Sequence, residues 1–312
     1  MRILITGGAG FIGSNLARLA LGGGHEVRVL DDLSTGHRDS LKGLDVDFHE
    51  GAVQDPDAAA KAVAGVDSIV HLGALGSVPR SVQDPIASHH ANATGTLILL
   101  DQARRADVSH VMSASSSSVY GMNPALPKSE REWVRPMSPY AVSKLATEQY
   151  TLAFQQSFGF DTVAFRFFNV YGPGQRAGHV YAAVVPTWID AMMKGEPVWV
   201  NGDGTNSRDF TFVETVCNAL LKTAERRVSH PEPVNLAFGT NTSLLELIDR
   251  LTDLSGITPD VRHREPRPGD VPHSQADNTV LKSLLPEVSP VPLTEGLTAT
   301  LAWFLSDSKS IT

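Results

Sequence analysis

Short apolar runs alternating with helical patterns predict an α/β chain: a Rossmann-type, doubly wound parallel sheet followed by a smaller, mixed α/β lobe. Three observations carry this reading. Ile3-Leu4-Ile5 runs straight into glycines at positions 7, 10 and 13, after which Ile12, Leu16 and Leu19 recur at helical spacing. A second apolar run, Val27 to Leu30, ends on Asp31, about twenty residues beyond the glycines. After Phe168 the regular alternation loosens, and proline and glycine recur at short intervals through Tyr171-Gly172-Pro173-Gly174, Pro186, Gly195, Pro197, Gly202 and Gly204. The first of these reads as strand, tight turn and helix. Gly7, Gly10 and Gly13 let a backbone approach a pyrophosphate, whose charge then sits against N–H groups opening the helix at Phe11 and Ile12. Asp31 can accept both hydroxyls of an adenosine ribose and repels a 2′-phosphate. Asp32 adds a second negative charge and no basic residue follows at once, so the predicted cofactor is NAD rather than NADP.

Composition narrows the remaining classes. A chain of 312 residues can bury a large core, and a formal net charge of −8 argues against a nucleic-acid partner, leaving local arginines to hold any anionic ligand. The single cysteine, Cys217, rules out an internal disulfide and thiolate zinc sites, and the eleven histidines lack metal-ligand spacing, so no metal is expected. Met1-Arg2 enters the first strand directly and nowhere do eighteen apolar residues run together, so the expectation is a cytoplasmic protein with no membrane partner. No internal repeat is visible, and Ser306 to Thr312 reads as a frayed end.

Along the chain, Gly22-Gly23-Gly24 is expected to stop the first helix with positive-φ residues. Val46-Asp47-Phe48 reads as a third strand, 57–64 as a helix, Ser68-Ile69-Val70 as a fourth strand ending at His71, and 85–105 as one long helical pattern. His110-Val111-Met112 forms a fifth strand running into Ser113 to Ser118, hydroxyls expected just past a strand end, where open parallel sheets bind ligands. Ser138-Pro139 is an N-cap with proline at the first helical position, and Tyr140 and Lys144 follow one turn apart on the same face. Thr162 to Phe168 gives a sixth strand. The NAD-binding domain is drawn as 1–168 plus about 210–238, with Asp209 to Phe212 returning to it and a helix over 213–226. The substrate lobe is drawn as about 169–209 plus 239–312, including a helix over 243–254, the loop Arg264 to Asp270, and helices near 278 and 295.

Thr6 to Gly13, Asp31, Ser116 to Gly121, Tyr140 to Lys144, Arg166 to Pro173 and Gly202 to Phe210 together resemble the extended short-chain dehydrogenase/reductases, and among them the nucleotide-sugar 4-epimerases; the match spans nearly the whole chain in order. The resemblance implies that Ser116, Tyr140 and Lys144 are catalytic. Tyr140, as phenolate, takes the proton of the sugar 4-hydroxyl while carbon 4 gives hydride to NAD, and the 4-keto sugar turns over and is reduced on its other face. Lowering a tyrosine pKa from about 10 to about 7 takes roughly 4 kcal/mol. A lysine about 4 Å away supplies only about 1 kcal/mol in water but about 4 at an effective dielectric of 20, so the site is expected to be partly closed to water. Further cofactor contacts are implied at Ser34, Thr35, Gly36, Ala52, Val53, Leu72, Ala74, Asn92 and Phe167.

Four comparisons within the family narrow the reaction. Sugar 4,6-dehydratases carry an Asp-Glu pair after the catalytic hydroxyl residue and decarboxylases a glutamate; here Ser117-Ser118 stands instead, favouring epimerisation. Arg208 and Arg267 fall where the diphosphate is clamped, with Asn169 and Asp270 beside it and Ala183, Val184, Trp199 and Asn201 lining the uridine; the alternative is that these arginines pair with Asp209 or Glu265. Ser274 stands where hexose-specific enzymes place a bulky aromatic, which leaves room for an N-acetyl group, and 74–81, with Ser77, resembles enzymes acting on UDP-N-acetylglucosamine, as does 181–186. Gly51-Ala52 departs from the common Gly-Asp, so adenine recognition falls to the Val53 backbone or to Asp55. The leading expectation is interconversion of UDP-N-acetylglucosamine and UDP-N-acetylgalactosamine. Plain UDP-glucose epimerisation, UDP-glucuronate epimerisation and a non-catalytic NAD-binding protein stay as alternatives. The resemblance also implies a homodimer through helices near 88–106 and 140–157.

Overall fold

The computed structural model describes residues 1–177, 183–265 and 271–307; Arg267, Asp270 and the start of the 181–186 segment therefore lie outside the described residues. The chain opens with β1 (Arg2–Thr6), α1 (Phe11–Gly22), β2 (Glu26–Asp31), β3 (Asp47–Glu50), α2 (Pro56–Val63) and β4 (Ser68–His71). It continues with α3 (Val78–Gln83), α4 (Pro85–His89), α5 (Gly95–Arg105), β5 (His110–Ser116), α6 (Pro139–Phe158) and β6 (Asp161–Phe167). Then come β7 (Asn169–Tyr171), α7 (Val184–Lys194), β8 (Val198–Asn201), β9 (Ser207–Arg208), β10 (Phe210–Phe212), α8 (Val213–Arg226) and β11 (Val234–Leu236). The last elements are β12 (Thr242–Ser243), α9 (Leu244–Ser255), β13 (Val261–Arg264), α10 (Thr279–Leu284) and α11 (Leu293–Asp307).

Seven strands form one parallel sheet in the order β11-β6-β5-β4-β1-β2-β3. Successive side chains of a strand point to opposite faces, and the burial follows that period. Ile3 and Ile5 face Leu16, Ala17 and Ala20 of α1 and Val216 and Leu220 of α8, whereas Leu4, with Leu30 and Ile69, faces Val63 of α2, Leu99 and Leu100 of α5 and Phe154 of α6. Both faces are covered, which is why β1 is a continuous apolar run rather than an alternating one. Each such side chain contributes roughly 1.5–3 kcal/mol on leaving water. The strand order reverses between β1 and β4. Ligands of open parallel sheets bind at the carboxyl ends beside such a reversal, here the ends carrying Thr6-Gly7 and His71-Leu72.

Local chemistry fixes the helix that matters most for the site. Ser138 Oγ accepts the Ala141 N–H at 3.1 Å, Pro139 occupies the first turn, and Gly159 ends α6 in the left-handed conformation at φ 71°.

Several expectations change in detail. Of the three glycines after α1, only Gly24 has positive φ, 78°; Gly23 closes the helix at φ −82°, because its N–H reaches Ala20 and Leu19 oxygens without a left-handed turn. The third strand begins at Asp47 rather than Val46. The pattern over 85–105 is not one α-helix: α4 and α5 are joined by a π-helical turn, His90–Thr94, and α3 precedes them. The fifth strand runs on to Ser116, since Ser113 and Ser115 are buried in its ladder with β6 instead of lying past its end. Phe210 to Phe212 does not rejoin the large sheet. It pairs in parallel with β7, and only Val234 to Leu236 joins β6.

Candidate active site

The turn after β1 is shaped by what a side chain there would strike. A Cβ on Gly7, whose φ is +68°, would meet Gly73 N at 2.8 Å, and one on Gly13 would meet Gly7 O at 2.3 Å. Gly10 N donates to Gly7 O at 3.1 Å, closing the turn before Phe11, Ile12 and Gly13 begin α1. The first N–H groups of a helix have no acceptor a turn back, so this end presents donors to an anion. Asp31 is buried at the end of β2. Its Oδ2 accepts Ala9 N–H at 2.9 Å and its Oδ1 accepts Leu33 N–H at 2.8 Å, while burial pushes its pKa up, offset by those two bonds. Gly36 fits beside it because a Cβ there would stand 2.9 Å from Asp31 Oδ1. Asp32 is exposed and accepts from Ser34 N at 2.9 Å, and Ser34 and Thr35 are exposed beside it. A glycine cradle facing a helix terminus, with a carboxylate held at the next strand end, fits a dinucleotide.

Val53 is buried and Ala52 half-buried on the neighbouring strand end. Asp55, exposed beside them, caps α2 through its Oδ1, which accepts Asp57 N–H at 2.9 Å. Asn92 likewise has its amide engaged. It accepts Leu75 N–H at 2.7 Å and donates to Ser143 Oγ at 2.9 Å and Leu75 O at 3.2 Å, so it shapes the segment around Leu72, Ala74 and Leu75 and ties it to α6. Phe167 ends β6, buried opposite Ser116 in the ladder.

Ser116, Tyr140 and Lys144 meet where β5 ends against the first turns of α6. The Ser116 hydroxyl lowers the pKa of the Tyr140 phenol, but burial outweighs it and the net direction is upward. Lys144 Nζ donates to Ala114 O at 2.9 Å, and burial brings its pKa down to about 8. The expected lowering of Tyr140 by Lys144 is thus not the leading effect among the protein's own groups, because the ammonium is anchored on β5.

Two buried polar clusters support this corner, and the sequence reading named neither. His71 Nδ1 lies 2.7 Å from Thr6 Oγ1 and Nε2 lies 2.9 Å from Thr96 Oγ1. Thr96 gives its own hydrogen to Asn92 O at 2.6 Å and Thr6 accepts from Gly73 N at 3.0 Å, so the ring donates at Nε2 and accepts at Nδ1. It is neutral, and burial with the nearby Lys144 charge brings its pKa down to about 3. The second cluster is the ion pair of Arg166 and Glu148, at 2.7 Å and 2.9 Å, with both side chains at most 4% exposed. Ser115 Oγ donates to Glu148 Oε2 at 2.8 Å, and the Arg166 guanidinium stacks 4.7 Å from the Tyr120 ring. The available signal was an arginine inside an apolar strand and a glutamate one turn beyond Lys144.

On the substrate side, β9 ends on Arg208, and Asp209 links it to β10. Arg208 Nη1 donates to Ser207 O at 2.9 Å and Pro272 O at 3.1 Å. Asp209 is buried and accepts from Gly239 N, Ala276 N and Thr240 Oγ1 at 2.8–3.0 Å. Asn169 Nδ2 donates to Asp209 O at 3.4 Å. Ser274 is half-buried, its N–H on Ser207 O at 3.1 Å, which sets it beside Arg208. Ser77 caps α3 at φ 142°, a strained value for a non-glycine residue, with its Oγ accepting Arg80 N–H at 3.2 Å. Ser117 is half-buried in the turn after Ser116. Ala183 precedes α7 and Val184 begins it; Trp199 is 42% exposed under the Arg262 guanidinium, and Asn201 Oδ1 accepts Arg264 Nε–H at 2.7 Å. Among the described residues no group of histidine, cysteine, aspartate and glutamate could hold a metal, and no helix is long and apolar enough to cross a membrane.

A nucleotide cradle, a buried acid at the second strand end and a serine, tyrosine and lysine at the fifth define a dinucleotide-dependent enzyme of the short-chain dehydrogenase/reductase class. Residues 3–237 match the NAD dependent epimerase/dehydratase family, and the chain belongs to that family, with NAD as its cofactor. It is 36% identical over 315 residues to the UDP-glucose 4-epimerase of Mycolicibacterium smegmatis, covering 99% of this chain and 100% of that one. It is also 34% identical over 317 residues to a dTDP-glucose 4,6-dehydratase of Streptomyces niveus, covering 97% of this chain and 93% of that one. Among solved structures it is similar to a UDP-N-acetylglucosamine 4-epimerase from Methanobrevibacter ruminantium in complex with UDP-N-acetylmuramic acid, at 34% identity and TM-score 0.92 over 98% of each chain.

Proposed function

We propose that the protein is a UDP-sugar 4-epimerase that accepts N-acetylhexosamines, interconverting UDP-N-acetylglucosamine and UDP-N-acetylgalactosamine, with UDP-glucose and UDP-galactose as further substrates. The observation that carries the reading is the turn after β5, where Ser116 is followed by Ser117-Ser118 with no carboxylate at the place where a dehydratase needs one. Without an acid at those two positions, the turn after Ser116 offers no carboxyl group to give the proton that loss of water requires.

In this reading Tyr140 removes the 4-hydroxyl proton, and Ser116 bonds the same oxygen and relays the proton. Lys144, with its pKa brought down to about 8, is still mostly charged at neutral pH and stabilises negative charge in a buried corner. NAD, when bound, supplies the hydride acceptor and a positive charge that favours the phenolate. Reduction of the keto sugar from its other face needs a pocket roomy enough for the ring to turn. Arg208, with Arg267, clamps the diphosphate beside Asn169 and Asp270, and Ala183, Val184, Trp199 and Asn201 line the uridine. Ser274 beside Arg208 leaves space at the sugar's 2-position. Exposed Ile86, Leu97, Val142 and Tyr150 on α4, α5 and α6 support a homodimer through these helices.

The specificity is tested by Ser274→Tyr. The variant should lose turnover of UDP-N-acetylglucosamine and keep that of UDP-glucose; N-acetyl turnover unchanged in the variant removes Ser274 from the pocket.

A further inference from the structure

The segment from Pro272 to Ala276, which carries Ser274, lies beside β9 in a short parallel ladder. Ser207 N donates to Pro272 O at 3.0 Å, Ser274 N donates to Ser207 O at 3.1 Å, and Ser207 and His273 form the bridge. In a regular parallel ladder the Ala276 N–H would next donate to the Asp209 carbonyl. That carbonyl is turned to another strand. It accepts Asn169 N–H at 3.2 Å and Asn169 Nδ2 at 3.4 Å, where β10 begins to pair with β7. The Asp209 side chain stands in for it: Oδ2 accepts Ala276 N–H at 3.0 Å and Gly239 N–H at 2.9 Å, and Oδ1 accepts the Thr240 hydroxyl at 2.8 Å. Asp209 is fully buried, and a carboxylate has about four lone-pair sites, enough for these donors while its main chain holds Asn169.

We infer that Asp209 is a positioning residue for substrate specificity: its carboxylate replaces the carbonyl that the chain gives to Asn169, and so fixes the Ser274 segment against Arg208. The inference rests on the proposed substrate contacts of Arg208, Asn169 and Ser274. These come from separate parts of the chain and converge on Asp209. Arg208 precedes it, Asn169 bonds its carbonyl, and Ala276 stands two residues beyond Ser274. The spacing between the diphosphate clamp and the pocket wall at the sugar's 2-position is thus set by this side chain. Without the carboxylate, the Ala276 and Gly239 N–H groups lose their acceptor and the ladder beside β9 ends at Ser274. The segment stays attached on its other side, where Lys128 N donates to Gln275 O at 2.7 Å and Asp277 N donates to Lys128 O at 2.8 Å. Discrimination is a difference of affinities, so a wall free to shift blurs the choice between an N-acetyl group and a hydroxyl more than it affects the diphosphate.

The test compares Asp209→Ala and Asp209→Asn with the wild type, all loaded with NAD, measuring kcat and KM for UDP-N-acetylglucosamine and UDP-glucose together with the melting temperature. Asparagine keeps an oxygen for Ala276 and Gly239 and turns its NH2 to the Thr240 hydroxyl, which can accept. Asp209→Ala should lower the ratio of kcat/KM for UDP-N-acetylglucosamine to that for UDP-glucose about 10-fold, through KM, with kcat for UDP-glucose within about twofold of wild type, and Asp209→Asn should restore the ratio. A merely structural carboxylate would lower the melting temperature and leave the ratio alone, so an unchanged ratio in Asp209→Ala overturns the inference. If Asp209→Ala fails to bind NAD, the ratio is read in Asp209→Ser, whose hydroxyl is too short to reach Ala276 while water can fill the vacated space, and the same outcomes decide. Turnover of neither sugar nucleotide by the wild type counts against the epimerase reading instead. The ratio is then taken from the dissociation constants of the two sugar nucleotides, measured by calorimetry, which decide the inference separately.

Discussion

A methyl group on Gly13 would stand 2.3 Å from Gly7 O and 2.6 Å from Gly8 Cα, both backbone atoms that cannot move without opening the turn. Overpacking of this kind costs about 1–3 kcal/mol, and here it falls on the turn proposed to receive the pyrophosphate. Gly13→Ala should therefore weaken NAD binding by about 10- to 100-fold, measured by calorimetry, and also lower the melting temperature by a few degrees. Binding as tight as wild type would mean that the cradle is not where the cofactor sits. At this scale the sequence was most informative where chemistry restricts the residue type. Glycine spacing and Asp31 could be read directly because few other residues do their work. Asn92 and Asp55 were expected beside the cofactor; their parts as an internal clamp and a helix cap were not legible, because a side-chain amide or carboxylate can serve either use and spacing alone does not separate them.

Helix α6 carries Tyr140, Lys144 and Glu148 at successive turns, so one face of one helix holds both the proposed reacting groups and the anchor beside them. The anchor is the buried pair with Arg166, reinforced by Ser115 from the strand that bears Ser116. Removing one member of such a pair leaves an uncompensated charge in the interior, so Glu148→Gln should cost roughly 3–5 kcal/mol in a denaturant titration. Replacing both Glu148 and Arg166 by apolar residues of similar volume should recover most of that stability. If Glu148→Gln is as stable as wild type, the pair is not holding the helix. The helix itself was plain from Ser138-Pro139, whereas the π-helical turn at His90–Thr94 and the short α3 were not. Both arise where the chain bends to place Asn92 against Leu75, a tertiary demand that no local period records.

Across the whole molecule, the reversal of strand order between β1 and β4 brings Thr6 and His71 together beneath the nucleotide turn. His71 binds a proton at about 6.5 when unfolded and only near 3 when folded, so between those values the unfolded chain holds the extra proton. Its contribution to stability is complete above about pH 6.5 and is lost as pH falls, by roughly 2 kcal/mol at pH 5. His110, also lowered by burial, acts in the same direction. Unfolding free energies at pH 7 and pH 5 should differ less for His71→Gln than for the wild type; equal differences would place the acid sensitivity elsewhere. The parallel sheet was legible because its strands are buried on both faces and read as apolar runs. The small paired strands were not. Two- and three-residue ladders such as Ser207–Arg208 with Thr242–Ser243 leave too short a pattern, and Phe210 to Phe212 looks like any other apolar run until its partner is seen.

The central claim is the reaction itself, and it is tested by incubating the purified protein with UDP-N-acetylglucosamine and, separately, UDP-glucose, following the sugar by proton NMR. The account predicts appearance of the 4-epimer of each, with no loss of the 6-hydroxyl, and no turnover by Tyr140→Phe. A 4-keto-6-deoxy product, or full activity in Tyr140→Phe, would contradict it.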